Sequence, residues 1–217
     1  DDHSRFLQSA AAFFNASDEV TREKWRIFIE SQDMQKQLPG IQGVGFAQLI
    51  PAAELAEHIQ KVRGEGFPEY TVKPAGERVL YSSIVYLEPF SGRNLRAFGY
   101  DMLTEPIRQA ALKHARDTGR PMLTGKVTLV QETGKEVQPG TLLFMPVYRK
   151  GMPTASILQR RAAIFGWVYS PYRMSDLMEG IFAEYHLGAK SGVSLEVYDG
   201  DTPFPSSLLY AKGASAG

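Results

Sequence analysis

Apolar residues recur at helical spacing from the start of the chain. Phe6, Ala10 and Phe13 form one i, i+4, i+7 row, and Leu7, Ala11 and Phe14 form a second beside it. Ser17-Asp18-Glu19 interrupts the pattern. Thr21 is a suitable N-cap for a second helix with Trp25, Phe28, Ile29 and Met34 on its apolar side, although Lys24 rules out a reciprocal capping box. Pro39-Gly40 stops that helix. Beyond Gly40 the period shortens. Val44–Ile50 reads as a strand, and Pro51–Arg63 as an amphipathic helix with Leu55, Ile59 and Val62 inward. Tyr70–Val72 and Tyr81–Leu87 read as strands around the turn-forming Pro74-Ala75-Gly76. Asp101–Asp117 reads as a helix with Leu103, Ile107, Ala111 and Ala115 on one side, closed by Gly119. Three strand-like runs follow, Met122–Val130, Thr141–Tyr148 and Ala162–Ser170, then a short helix over Met174–Ala183 and candidate strands at Val193–Tyr198 and Leu208–Tyr210. The tail Gly213–Gly217 carries no structural signal. Helices come early and the longest strand runs come consecutively, which predicts an α+β fold: an antiparallel sheet with helices packed on it, led by a long N-terminal helix.

Composition narrows the function. The 217 residues are 43% hydrophobic and 22% charged, ordinary for a folded domain. Lys+Arg and Asp+Glu are both 24, so a broad basic nucleic-acid surface is not expected. There are no cysteines, which excludes disulfides, thiolate metal sites and a Cys nucleophile. No apolar run approaches the roughly 18 residues of a membrane span, and no signal peptide is expected among these residues. The chain begins without Met inside a helical pattern, so we expect a piece cut from a longer protein.

Longer motifs carry a resemblance. Phe98-Gly99-Tyr100-Asp101-Met102-Leu103-Thr104-Glu105-Pro106, then Ala115-Arg116-Asp117-Thr118-Gly119, then Leu123-Thr124-Gly125-Lys126-Val127 look like the signature of the CHASE domain. Phe144-Met145-Pro146-Val147-Tyr148 and Phe165-Gly166-Trp167-Val168-Tyr169-Ser170 continue it in order, and Pro39–Ala47 resembles the start of the family's first sheet. The resemblance runs from about Phe13 to Asp199 and implies an extracytoplasmic, periplasmic or extracellular, sensor set between membrane helices that lie outside this chain. Such modules feed a histidine kinase, diguanylate cyclase or cyclic-di-GMP phosphodiesterase, and the Phe98–Met102 and Gly166–Met178 stretches look like the cyclase-type branch. The implied fold is a long stalk helix and two PAS-like antiparallel subdomains: residues 1–38 as stalk, 39–172 as the membrane-distal ligand-binding unit, and 173–217 as the start of a smaller membrane-proximal one.

The resemblance also implies a ligand site. An Asp at the position of Asp101 accepts hydrogen bonds from the purine face of the ligand in cytokinin-binding relatives, while the residue taken alone is an equally ordinary helix N-cap. Leu123, Thr124 and Thr128 fall on the pocket strand of the family, although strands contain such residues in any case. Tyr81, Tyr86, Tyr100, Phe144 and Tyr148 can supply aromatic walls or core. Gly166 before Trp167 marks a close approach or a bulge. The expected ligand is an adenine derivative or another small planar or polar metabolite. No cofactor, no nucleic acid and no catalysis are expected, and the Phe6–Ala10–Phe13 row is expected to pair two copies into a homodimer. The rival reading is a ligand-free dimerisation or periplasmic protein-interaction module of the same receptor.

Enzyme signatures are weak. His3, His58, His114 and His186 have no metal-ligand spacing, with His58 and His114 read as surface or boundary residues. No Walker loop is present, and Gly40, Gly43 and Gly45 lack dinucleotide-loop order. Glu54/Glu57 and Asp176/Glu179 read as solvated helix carboxylates, Asn15-Ala16-Ser17 as a chance glycosylation sequon, and Arg160-Arg161 as residues flanking a strand.

Overall fold

The computed structural model describes residues 2–32, 38, 40–134, 136–184 and 194–213. The expected positions Met34, Pro39, His186, Val193 and the last four tail residues lie outside them. Two helices open the chain, α1 (Asp2–Ala16) and α2 (Arg22–Ser31). Thr21 caps α2 by accepting the Lys24 N–H, as its side chain predicts. Then come β1 (Val44–Pro51), α3 (Leu55–Gly64) and β2 (Leu80–Glu88). A short 3-10 turn, Met102–Thr104, leads into α4 (Pro106–Thr118). After it lie β3 (Met122–Leu123), β4 (Gly140–Tyr148), α5 (Ile157–Ala163), β5 (Ile164–Arg173) and α6 (Met174–Glu184). A hairpin of β6 (Leu195–Tyr198) and β7 (Leu208–Lys212) ends the described chain.

The five strands β2-β1-β5-β4-β3 form one sheet, antiparallel throughout, and β6-β7 form a second. Strand alternation divides the large sheet between two cores. Ala47, Ile84, Phe144, Trp167 and Tyr169 face α4, packing on Ala111, Leu112 and Ala115. Val44, Phe46, Val85, Leu143 and Val168 face α1 and α2, packing on Leu7, Ala11, Phe14, Trp25 and Ile29. The pairing skips a residue between Phe46↔Tyr86 and Ala47↔Ile84, so both Ile84 and Leu87 reach the α4 side. A third cluster, Ile50, Val62, Tyr70, Val72 and Tyr81, closes the α3 end. Gly166 is needed for packing: a Cβ there would strike the Ala47 carbonyl of β1 and the Phe46 ring.

Several expectations are corrected. α1 is 15 residues long and is not the long helix expected to lead the fold. It lies on the sheet with Leu7, Ala10, Ala11 and Phe14 buried. Of the row expected to meet a second copy, Ala10 is fully buried in its own chain, while Phe6 and Phe13 are half-buried and Phe13 stacks on Phe28 at 4.6 Å. The helix expected from Asp101 starts at Pro106, because Glu105 caps it by accepting the N–H groups of Ile107 and Arg108, and Asp101 caps only the preceding 3-10 turn. Its buried face is Arg108, Ala111, Leu112 and Ala115, and Ile107 is exposed. Met122–Val130 is a strand for two residues only, with a single further bridge at Val127, and Tyr70–Val72 forms none. Arg160 and Arg161 lie inside α5, which a capping box from Ser156 and Gln159 starts, and the strand expected from Ala162 begins at Ile164. His58 is buried, and Asp176 pairs with Arg173 at 2.8 Å instead of standing in solvent.

Candidate functional site

A cleft of about 260 Å³ lies where the N-terminal half of the large sheet meets α4. Leu49 from β1, Leu80 from β2 and Trp167 from β5 form one side, and Leu103 from the 3-10 turn closes an end. Gln109, Lys113 and Arg116 line it from α4, and Arg78 from the loop before β2. The three α4 residues are spaced i, i+4, i+7, so they share one stripe beside the stripe that packs on the sheet. Trp167 is fixed by its indole N–H, which donates to the Leu112 carbonyl at 3.0 Å. Gln109 donates to the Leu103 carbonyl at 2.9 Å, joining the 3-10 turn to α4.

Three residues singled out from sequence stand behind this cleft. Asp101 is fully buried, and one carboxylate oxygen accepts the N–H groups of Ser82 at 2.8 Å and Leu103 at 3.0 Å. Its second oxygen makes no hydrogen bond and lies 3.6 Å from Arg78. Tyr81 carries the Arg78 guanidinium 5.3 Å above its ring, accepts the Arg78 N–H and donates to the Gly76 carbonyl. The Tyr148 hydroxyl donates to the Arg116 carbonyl at 2.6 Å. Asp101, Tyr81 and Tyr148 therefore fix the backbone and charge of the cleft's two arginines without lining it.

The other six do not converge there. Phe144 is fully buried in the α4-side core, 6.1 Å from the Tyr169 ring. Tyr100 lies under the Arg108 guanidinium, whose other end donates to the carbonyl of the exposed Thr128 at 2.7 Å. Leu123 and Thr124 line a separate apolar cleft of about 410 Å³ between the sheet edge, α6 and the β6–β7 hairpin. Thr124 is engaged there, accepting the Leu142 N–H at 2.9 Å. Tyr86 faces the opposite side of the sheet and donates to Val20 at 2.8 Å. Its hydroxyl is held protonated by burial, with a pKa pushed up to about 12. Tyr86 and Tyr148 border a third depression, beside the α1–α2 loop.

Sequence reasoning missed Arg78, Gln109, Lys113 and Arg116. The stripe on α4 was available as a signal, but the helix frame set by Leu103 and Ile107 turned it outward. Among the described residues no group of three or more His, Asp or Glu is placed to hold a metal ion.

Known proteins bear on these residues in two ways. The CHASE domain family model matches residues 18–210. A solved structure of the ligand binding domain of the Pseudomonas aeruginosa PAO1 amino acid chemoreceptor PctC, in complex with GABA, superposes with a TM-score of 0.48 at 13% identity, covering 97% of this chain and 66% of that one. This chain thus spans less than two thirds of that protein's length, and a likeness of that size carries no argument about function. No curated protein matches the chain.

Proposed function

Because the chain belongs to the CHASE domain family, we propose that it is the extracytoplasmic small-molecule sensor module of a membrane-bound receptor whose output is a histidine kinase or a cyclic-di-GMP cyclase or phosphodiesterase. The ligand sits in the cleft between α4 and the sheet. The observation that carries this reading is the buried support of the cleft: Asp101, Tyr81 and Tyr148 hold its lining arginines from behind. A fold needs no such apparatus around a surface groove, whereas a binding site needs its polar groups held before the ligand arrives. Asp101 acts on the ligand through Arg78, as a positioning residue.

Residues 39–172 form the ligand-binding PAS-like unit in this reading, and α6 with the β6–β7 hairpin begins the membrane-proximal one. A ligand that binds one arrangement of α4 against the sheet better than another shifts the population between them. That shift reaches α6 through β5, since Arg173 at the end of β5 pairs with both Glu132 and Asp176 at 2.8 Å.

A thermal-shift screen of small metabolites tests the assignment. A binder at a hundredfold excess over its Kd stabilises the protein by about 2.7 kcal/mol. The stabilisation should vanish in Leu103→Trp, which fills the cleft. A binder that stabilises Leu103→Trp as much as the parent would place the site elsewhere.

A further inference from the structure

The lining of the α4 cleft is unbalanced in charge. Arg78, Lys113 and Arg116 line it, and no carboxylate does. Arg78 is already answered, by Asp101 at 3.6 Å and by the carbonyls of Pro74 at 2.9 Å and Gly76 at 3.2 Å. Arg116 is only partly answered. Its Nε donates to Asp117 at 2.7 Å, but Asp117 is also gripped by Arg161 from α5 through both of its oxygens. The two guanidiniums together hold the Asp117 carboxyl far below the usual carboxylate range, with Arg161 the larger cause. One carboxylate thus serves two arginines, and a positive charge is left over on the Arg116 side. Lys113 adds a second, donating to the neutral Gln109 at 2.8 Å. The remaining walls, Leu49, Leu80, Leu103 and Trp167, are apolar.

Resting on the reading of this cleft as the ligand site, we propose that the ligand is a small organic carboxylate. Its anionic end meets Arg116 and Lys113, and its apolar body lies against Leu49, Leu103 and Trp167. A cationic ligand meets the excess positive charge, and a neutral one leaves the charge on the half-buried Arg116 only partly balanced, by the Asp117 it shares with Arg161. A carboxylate matches the planar donor fork of an arginine, and a cleft of about 260 Å³ fits a small body. The side chain of Arg116 is only 17% exposed, so its pairing is less screened by solvent than a surface contact.

The protein carries its own reporter. It has two tryptophans, Trp25 and Trp167, and only Trp167 lines the cleft. Their indole N–H resonances in a 1H–15N spectrum are assigned with Trp25→Phe. The probes are benzoate, 4-methylpentanoate and indole-3-acetate, each against its neutral amide. We expect at least one carboxylate to shift the Trp167 indole saturably while leaving Trp25 in place, with its amide roughly tenfold weaker or worse. Arg116→Gln should weaken the carboxylate by a similar factor, and Lys113→Gln by less. Lys113 is exposed, the Arg116 carbonyl keeps its bond from Tyr148, and Asp117 keeps Arg161 in either variant, so folding is retained. Equal binding of acid and amide, or an unchanged affinity in Arg116→Gln, overturns the carboxylate class and leaves the cleft standing. No probe of either kind moving Trp167, with shifts confined to another part of the spectrum, overturns the cleft assignment as well.

Discussion

One oxygen of Asp101 binds two backbone N–H groups, and the other faces Arg78, so the residue joins three pieces of chain that are not adjacent in sequence. Asp101→Asn keeps an oxygen for Ser82 and Leu103 but removes the charge that holds Arg78. We expect a loss of about 1–3 kcal/mol in stability, read from denaturant melts, because charge-assisted bonds become neutral ones. If the carboxylate only capped the 3-10 turn, the loss would stay near zero. His58 gives a second test at this scale. It is buried, with its ring 2.8 Å from the Tyr70 hydroxyl, which in turn lies 2.6 Å from Ser83. Burial first, and Lys61 to a smaller extent, lower its pKa from 6.5 to about 4. The unfolded chain takes up a proton below pH 6.5 that the folded one refuses until about pH 4. The contribution is therefore full above 6.5, falls through that window and is gone below it, about 3 kcal/mol in all. In His58→Gln this pH dependence disappears, so the stability gap between parent and variant narrows by that amount on going from neutral pH to pH 4. Parallel curves would show that His58 does not titrate between the two states. Neither role was legible from spacing: His58 falls on an amphipathic helix whose polar side looked like solvent, and only the fold brings Tyr70 over it.

Of the elements, α1 departs most from the expectation of its own pattern. The resemblance implies a stalk here, and the Phe6–Ala10–Phe13 row was expected to meet a second copy. In the structure Leu7, Ala11 and Phe14 pack on the sheet, and Ala10 from the other row is buried with them. Phe14 sits 4.2 Å from the Phe46 ring and 5.7 Å from the Trp25 ring. Phe14→Ala should cost about 3–5 kcal/mol in monomer stability, measured by chemical denaturation at low protein concentration. A stalk projecting from the domain would lose almost nothing. Strands with clean apolar runs, such as β1, β2 and β4, were readable because burial on both faces of a central sheet demands such runs. The Met122–Val130 segment misled because β-branched and apolar residues there serve loop packing: Val127 and Leu129 are buried while the chain leaves the ladder. The frame of α4 misled because its buried face includes Arg108, which covers its charge with Glu105 and the Thr128 carbonyl. A charged residue on a core face is the one signal that periodicity alone assigns to the wrong side.

At the scale of the whole molecule, Arg173 ties the end of β5 to α6 and to the loop before β4. Its side chain pairs with the buried Glu132 and with Asp176 of α6, and donates to the Glu136 carbonyl at 2.7 Å. Arg173→Met should destabilise the protein by about 3–5 kcal/mol, because Glu132 is left buried and unpaired. Adding Glu132→Leu should return much of that loss, a double-mutant result that a surface ion pair would not give. A second tie, from the Lys126 N–H to Asp199 at 2.8 Å and from Lys126 Nζ to Ser206 at 2.9 Å, fastens the hairpin to the loop after β3. In the proposed function, the sheet holds a ligand on its α4 face and passes a change in α4 packing to α6 through β5. The most direct test is the set of intermolecular NOEs between a bound small molecule and the protein's methyl and indole protons. NOEs to Leu49, Leu103 and Trp167 are the result predicted here, and NOEs confined to Leu177, Ile181 and Leu209, in the cleft beneath the hairpin, would contradict it.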